Sequence, residues 1–229
     1  MKLSPRLEQI NRLVSRRYEH IFDCCCDHGF LGQFLLQRQA ADTVHFVDVV
    51  APLMDQLQQR LSTEFSEYPM HSWQVDCQDV AELKLPEHGA TLVILAGVGG
   101  DLMIDLVRAL VNSHPERSLE FILCPVYHTY KVRKAMAALG FGMVDESLIR
   151  DNGHSYEIMH LSNDLTASGV TPLSAVGCKM WDLSRPEHQR YLERTVSHYQ
   201  QMAKGRHSEA KHILEQYQTL LPISGLSMK

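Results

Sequence analysis

The sequence contains no long apolar segment, no excess of basic residues and no paired-cysteine motif. None of its apolar runs approaches the roughly 20 residues that a membrane span needs. The first residues follow an amphipathic pattern rather than the apolar core of a signal peptide, so we expect a cytoplasmic protein that does not bind membranes. The net charge of −5 means that nucleic-acid binding must depend on local basic patches. A chain of 229 residues, 45% of them hydrophobic, suffices for one domain with an appendage.

Three of the six cysteines, Cys24, Cys25 and Cys26, are consecutive. Neighbouring cysteines rarely reach the geometry of a disulfide. A zinc or redox site is disfavoured because no C-x-x-C pair exists, and because consecutive side chains of a strand point to opposite faces. We therefore expect free thiols and no metal, even with His28 close by in the sequence.

Short apolar runs alternate with helical patterns through the first 140 residues. This alternation predicts an α/β fold, with a mostly parallel sheet covered by helices on both faces. The predicted strands are 20–24, 43–49, 71–75, 91–96 and 119–124. The predicted helices are one that begins at Ser4-Pro5, then 30–39, 51–65, 101–112 and 129–139.

The pattern changes twice in the remaining third of the chain. Two strand-like runs flank Asn152-Gly153, a strong hairpin signal, which predicts an antiparallel end to the sheet. We place the boundary of the α/β domain at residue 162 and expect a helical hairpin in residues 163–229, with a turn near Gly205. A pair of helices that merely covers the sheet is equally consistent with its apolar stripes. The stripes are Leu192, Val196, Tyr199 and Ala203, then Ala210, Leu214, Tyr217 and Leu221.

Acidic residues or glycines follow several of the predicted strands. Asp48 ends the second strand about 20 residues after the first turn, the spacing of an acid that binds ribose hydroxyls. Asp76 ends the third run, and Gly97 begins a glycine cluster after the fourth. The motif G-x-G-x-x-G is absent, which disfavours a dinucleotide dehydrogenase. For any single aspartate, including Asp23, capping of a helix or turn is an equally good interpretation.

The order of motifs resembles the bacterial tRNA adenine-N1-methyltransferases that modify the D-loop. The motifs are "SPRLEQINRLV", "FDCCCDHGFLG", "FVDVVAP", "LAGVGG", "FILCP" and "GHSYEIMHLS". The resemblance implies a Rossmann-like class I methyltransferase fold with a seven-stranded sheet that binds S-adenosylmethionine. It also implies that the C-terminal helical hairpin helps to hold tRNA.

The resemblance further implies which residues contact the cofactor. They are Asp23 and Gly29 for its methionine part, Asp48 for its ribose, Asp76 and the backbone of Cys77 for its adenine, and Gly97, Gly99 and Gly100 beside the methyl group. Two positions depart from the family pattern. Cys25 replaces a glycine, which is acceptable where the backbone is not left-handed. Val126 replaces an asparagine, which puts the acceptor in question more than the cofactor.

Adenine N1 has a free lone pair, so methylation needs positioning and stabilisation of the cationic product. Asp27 is our candidate catalytic carboxylate, with capping of the following helix as the alternative. An aromatic residue of "CPVYHTY" (Tyr127, His128 or Tyr130) is a candidate for stacking on a flipped base.

Two basic sets are candidates for phosphate contacts, with a solvated, salt-bridged surface as the alternative. They are Arg6, Arg12, Arg16 and Arg17, and Arg185, Arg190, Arg194, Lys204, Arg206 and Lys211. Two other functions stay open: a methyltransferase of the same build with another acceptor, and a non-catalytic RNA- or protein-binding module.

Overall fold

A computed structural model describes residues 2–69, 71–205 and 208–221. The chain forms two compact units, Met1–Lys179 and Met180–Lys229. No helix in the described part of the chain is both long enough and apolar enough to cross a bilayer.

The first unit is built on a single eight-stranded sheet. Five parallel strands lie in the order β3-β2-β1-β4-β5, and β7, β6 and β8 follow as an antiparallel extension. The strands are β1 (Tyr18–Cys24), β2 (Ala41–Asp48), β3 (Trp73–Cys77), β4 (Thr91–Ala96), β5 (Glu120–Cys124), β6 (Gly142–Asp151), β7 (His154–Ser162) and β8 (Thr171–Pro172). The predicted α/β class and the antiparallel hairpin at Asn152-Gly153 are confirmed, and the two-residue β8 adds a strand to the expected seven.

Helices cover both faces of this sheet. They are α1 (Pro5–Leu13), α2 (Phe30–Gln37), α3 (Ala51–Glu64), α4 (Gly100–Ser113) and α5 (Thr129–Ala138). Alternate strand residues point to opposite faces. Phe46 and Ile94 accordingly pack with α1, α2 and α3 in one apolar cluster, whereas Val47 and Leu95 pack with α4 and α5 in the other. As predicted, α1 begins at Ser4-Pro5, and the Ser4 hydroxyl accepts the Leu7 N–H.

A buried charged cluster joins α5 to the antiparallel strands. Arg133 Nε donates to Glu157 Oε2 at 2.8 Å, and its Nη2 donates to Glu146 Oε2 at 2.6 Å. The side chains of all three residues are fully buried. Glu146 Oε1 also accepts the backbone N–H groups of Cys178 and Lys179, each at 2.6 Å. The cluster therefore fastens the segment after β8 to the sheet, and the compact unit extends to Lys179.

A second polar cluster lies at the amino-terminal edge of the sheet. Glu120 Oε2 accepts the Tyr18 hydroxyl at 2.6 Å and lies 2.8 Å from His160 Nε2, and its Oε1 accepts Arg16 Nη2 at 2.5 Å. Burial by itself would raise the pKa of Glu120, but these hydrogen bonds outweigh it and lower the pKa to about 2. The carboxylate is therefore ionised throughout the physiological range.

The second unit contains two helices, α6 (Pro186–Ala203) and α7 (Ser208–Gln218), which pack against each other. The apolar stripe of α6 is centred on Leu192 and Val196, as predicted. The stripe of α7 differs from the prediction at two positions. Ile213 is buried and Leu214 only partly so, and Leu221 is exposed beyond the end of the helix. Gly205 follows α6 as predicted, whereas Arg206 and His207 of the predicted turn lie outside the described residues, as does the Ser208 side chain.

Candidate functional site

The carboxyl ends of the five parallel strands lie side by side, and the loops that follow them form the candidate site. Strand order reverses at β1, since β2 and β3 lie on one side of it and β4 and β5 on the other. In open α/β sheets, ligands bind at this edge and at this point of reversal. From one side to the other, the loops carry Asp76, Asp48, the turn 25–29, Gly97 and Val126.

The turn after β1 contains three residues in the left-handed region. The φ angles are 55° at Cys25, 51° at Asp27 and 65° at Gly29. Hydrogen bonds from the Cys26 N–H to the Val47 carbonyl and from the Gly29 N–H to the Cys26 carbonyl fix this shape. The condition under which a cysteine would be acceptable here, a backbone outside the left-handed region, is therefore not met. The conformation costs roughly 1 to 2 kcal/mol for a residue with a Cβ.

The three cysteines of this turn are thiols shielded from water to different degrees. Cys24 is fully buried, and Cys25 and Cys26 are partly buried. Burial raises the pKa of all three, that of Cys25 to about 11, so they stay protonated at neutral pH. All six cysteines are free. Within the described ranges, no group of three or more His, Cys, Asp or Glu side chains is arranged to hold a metal ion.

Asp23 lies beneath the turn rather than on its surface. Its side chain is only 4% exposed, and its Oδ2 accepts the Gly32 N–H in the first turn of α2 at 2.8 Å. Burial raises the pKa of this carboxyl to about 7; the Gly32 hydrogen bond lowers it, and the charge of Asp48 raises it further. Asp23 thus anchors α2, in agreement with the capping interpretation, while its contact with a cofactor stays a prediction.

Asp48 connects the first two loops of the site. Its Oδ2 accepts the Asp27 N–H at 3.0 Å, and its Oδ1 accepts the Val50 N–H at 3.2 Å. A carboxylate oxygen has two lone pairs, so each oxygen keeps one for a ligand hydroxyl. Turn capping is present in the structure, and ribose binding is compatible with it but stays a prediction.

Asp76 and Cys77 extend the same edge beyond Asp48. Asp76 is half-buried and is oriented by Gln74 Nε2, which donates to its Oδ1 at 2.6 Å, and by His45 Nδ1 at 3.6 Å from its Oδ2. The Cys77 side chain is exposed, with Sγ 3.9 Å from the Val49 carbonyl oxygen. Both predicted adenine contacts therefore lie next to the predicted ribose contact.

The glycines after β4 allow two backbone segments to approach closely. Gly97 has φ 87°, and Gly99 precedes α4 as its N-cap. A Cβ on Gly99 would stand 2.3 Å from the Tyr127 hydroxyl oxygen, and one on Gly100 would stand 2.7 Å from the Tyr127 carbonyl oxygen. Neither position has room for a side chain beside the loop that follows β5.

A protein-family model described as "Methyltransferase domain" matches residues 3–159, a range that includes every loop of the candidate site. The chain belongs to this methyltransferase family. A search of curated proteins finds no match.

Solved structures resemble this methyltransferase over nearly its whole length. The Streptococcus pneumoniae protein Sp1610, crystallised with S-adenosyl-L-methionine, is 18% identical with a TM-score of 0.75, covering 96% of this chain and all of its own. The Bacillus subtilis M1A22 tRNA methyltransferase TrmK is 19% identical, with a TM-score of 0.66 and coverage of 96% and 95%. TrmK of M. capricolum, crystallised with S-adenosylhomocysteine, is 15% identical, with a TM-score of 0.71 and coverage of 96% and 98%. At these identities the likeness establishes the fold.

Asp27, the candidate catalytic residue of the methyltransferase, is exposed at the tip of the β1 turn. Its side chain is 69% exposed, and Oδ1 lies 3.7 Å from His28 Nε2. The N-cap of α2 is Gly29, which has no side chain, and the Gly32 N–H in the first turn of the helix is bonded to Asp23 rather than to Asp27. The alternative role of Asp27 as a helix cap is therefore not supported, and its carboxylate is accessible at the site edge.

Of the three aromatic candidates after β5, only Tyr127 combines exposure with a position over the site. Tyr127 is 57% exposed and lies against Gly99. Tyr130 is buried in α5. His128 is exposed, but its Nδ1 lies 2.8 Å from an Asp101 carboxylate oxygen, which ties it to α4.

The first basic set does not form one patch. Arg12 pairs with Glu8, Arg16 with Glu120 and Arg17 with Asp42. Glu120 begins β5 and Asp42 lies near the start of β2, so Arg16 and Arg17 lie at the edge opposite the candidate site. In the second unit Arg185 pairs with Glu187, and Arg190, Arg194, Lys204 and Lys211 are exposed. Arg206 lies outside the described residues.

The structure thus gathers the predicted residues 27, 29, 48, 76, 77, 97 and 99 along one edge and buries Asp23 below it. Sequence reasoning missed the position of Arg6, whose Nη2 lies 3.9 Å from the place of a Cβ on Gly97. No local signal distinguished Arg6 from the other arginines near α1, because the distinction depends on which face of the helix packs against the sheet.

Proposed function

We propose that the chain is an S-adenosylmethionine-dependent methyltransferase that methylates N1 of an adenine in the D-loop of a tRNA. The observation that carries this proposal is the extent of the likeness to the M1A22 tRNA methyltransferase of B. subtilis. The match covers 96% of this chain and 95% of that one, and so continues past Lys179 into the helical hairpin. A shared cofactor fold alone would account for the first unit only.

The residues at the carboxyl edge fit S-adenosylmethionine as a ligand. Asp48 presents a half-buried carboxylate with free lone pairs for ribose hydroxyls. On the β4 side, Gly97 and Gly99 line the cofactor cradle, with the Tyr127 ring against Gly99 and Arg6 Nη2 near Gly97. When bound, the cofactor supplies an electrophilic methyl group on a positively charged sulfur.

The contribution of the protein to the reaction is mainly to position the acceptor nitrogen against the methyl group. Methylation at N1 places a positive charge on the adenine ring. We propose that Asp27 stabilises this charge, since its exposed carboxylate lies at the tip of the turn beside the cofactor cradle. Tyr127 is the candidate for stacking on the extruded base, because its exposed ring lies over Gly99.

The helical hairpin is the proposed tRNA-holding element. Its exposed Arg190, Arg194, Lys204 and Lys211 supply local positive charge in a chain whose net charge is −5. Each phosphate neutralised adds roughly 0.7 to 0.9 to the slope of log affinity against log salt. This division assigns cofactor binding to the α/β domain and RNA binding to the hairpin.

One observation favours a different methyl acceptor in place of the D-loop adenine. Val126 is 42% exposed at the mouth of the site, where the tRNA methyltransferases that the sequence resembles have an asparagine. An apolar side chain cannot donate or accept the hydrogen bonds of an amide. A different RNA position or base is the acceptor compatible with this change.

Methyl transfer to unmodified tRNA tests the proposal directly. Purified protein, labelled S-adenosylmethionine and tRNA transcripts should yield 1-methyladenosine, located in the D-loop by mass mapping. Asp27→Asn should lower the single-turnover rate more than it lowers cofactor affinity, since it removes charge and keeps shape. Asp55→Asn, an exposed change on α3, is the matched control. Cofactor binding without 1-methyladenosine on any tRNA would favour the alternative acceptor, and no cofactor binding would refute the proposal.

Truncation after Lys179 tests the role of the hairpin. The cut must follow Lys179 because Glu146 accepts the backbone N–H groups of Cys178 and Lys179. We expect cofactor affinity to be retained, whereas tRNA affinity and its salt dependence should both fall. An unchanged salt slope in a folded, cofactor-binding truncation would remove the hairpin from the RNA interface.

A further inference from the structure

Arg6 is separated from the other arginines near α1 by its location. It lies in the first turn of α1, and its Nη2 stands 3.9 Å from the place that a Cβ on Gly97 would occupy. Its guanidinium therefore borders the loop after β4, at the carboxyl edge of the sheet. Arg16 and Arg17 are fixed at the other edge through Glu120 and Asp42.

Contacts from the antiparallel strands hold Arg6 in this place. Its guanidinium carbon lies 4.9 Å from the ring centre of Tyr156 on β7, within the range of a cation–π contact. Its backbone N–H donates to Asp151 Oδ2 at the end of β6, at 3.4 Å. The direction of the side chain is thus set by the sheet and does not depend on a ligand.

Among the residues that the structure describes, the guanidinium of Arg6 has no charged partner of its own. In the part of the chain that the structure describes, Arg12, Arg16 and Arg17 each form an ion pair with a carboxylate, and Arg6 forms none. Its Nε is shielded from solvent and has no hydrogen-bond partner. A buried donor without a partner costs stability, and a guanidinium is a fork of five donors that matches an oxyanion. The geometry suits an anionic ligand at the Gly97 loop.

We propose that Arg6 binds the carboxylate of the methionine part of the cofactor, an inference that rests on the proposed function. Asp48, the predicted ribose contact, ends β2, and Gly97 follows β4. These two strands flank β1 and are two strand spacings apart, about 10 Å. A cofactor with its ribose at Asp48 and its methionine across the β1 turn therefore directs its carboxylate toward the β4 side, where Arg6 lies.

Two ligands that differ in this carboxylate test the inference. S-adenosylhomocysteine contains it, and 5′-methylthioadenosine lacks the whole amino-acid end. By calorimetry, Arg6→Ala should bind S-adenosylhomocysteine roughly 10- to 100-fold more weakly and 5′-methylthioadenosine equally well, because only one charged hydrogen-bonding contact is lost. Arg6→Lys should lose less, since it keeps the charge without the fork. The control Arg12→Ala, on the same helix, should bind both ligands like the wild type.

Three results would overturn the inference. Equal weakening of both ligands by Arg6→Ala would mean that the residue acts through the fold. Unchanged binding of S-adenosylhomocysteine with weaker tRNA binding would assign Arg6 to an RNA phosphate. A wild-type protein that binds neither ligand would refute the proposed function itself, and the inference with it. Melting curves of all variants identify any loss that comes from unfolding.

Discussion

Replacing Asp23 by asparagine should make the stability of the protein less dependent on pH between pH 5 and pH 7. Asp23 is buried at the end of β1, and its Oδ2 accepts the Gly32 N–H at 2.8 Å. Burial raises its pKa from 3.8 to about 7. An asparagine keeps an acceptor oxygen for the Gly32 N–H and cannot ionise, so the variant mimics the protonated acid at every pH.

The size of the effect follows from linkage between protonation and folding. The folded state holds the Asp23 proton more tightly than the unfolded state, so this stabilising contribution is complete below pH 4 and is lost as pH rises through 7. Each pKa unit corresponds to about 1.4 kcal/mol. Between pH 5 and pH 8, the free energy of unfolding of the wild type should therefore fall by about 2 to 3 kcal/mol relative to Asp23→Asn.

Urea unfolding at pH 5, 6, 7 and 8 measures this difference. Most of the change in this difference should occur below pH 7. Little should occur above pH 7, because the carboxyl group is ionised there in the folded state as well. Asp23→Ala should be destabilised at every pH, since it leaves the Gly32 N–H without its acceptor. Asp55→Asn, an exposed change, should follow the wild type. A constant difference between Asp23→Asn and the wild type across this range would refute the reasoning.

Three further substitutions have defined outcomes in unfolding experiments. Gly32→Ala should cost about 1 to 3 kcal/mol, since its Cβ would stand 2.3 Å from Phe46 Cε1; an unchanged melting temperature would contradict this. Glu120→Gln should cost about 1.5 to 3 kcal/mol at pH 7, and the loss should shrink below pH 4 as the wild-type contribution fades toward its folded pKa of about 2. Arg133→Met should cost about 3 to 5 kcal/mol by leaving two carboxylates buried, and adding Glu157→Gln should recover part of it.

Most strands could be predicted because their apolar runs are bounded by turn residues. The predicted strand 91–96 coincides with β4, and the hairpin turn at Asn152-Gly153 is where the sequence placed it. The third strand was expected at 71–75, and β3 is Trp73–Cys77. This strand lies at the open edge of the sheet and is only partly buried, so its sequence carries a weak apolar signal.

Local conformation and helix orientation were harder to predict. The left-handed backbone of Cys25 belongs to a turn that is fixed by hydrogen bonds to the carbonyl groups of Val47 and Cys26. The cysteine side chain itself does not predict this conformation. Ile213 and Leu214 are adjacent apolar residues that fit the helical period equally well, so only packing decides which is buried. The position of Arg6, apart from the other arginines near α1, likewise depends on the contacts of α1 with β6 and β7.

The position of β7 between β5 and β6 has a consequence for synthesis on the ribosome. β5 is complete at Cys124, but the strand that pairs with it is complete only at Ser162. Until then a nascent chain presents the open edge of an apolar strand, with Phe121, Ile122 and Leu123 as its side chains. β6 leaves the ribosome before β7 and yet pairs on the outer side of it, so the order of synthesis differs from the order of the strands in the sheet. A ribosome that pauses in this interval exposes a template for pairing with other chains.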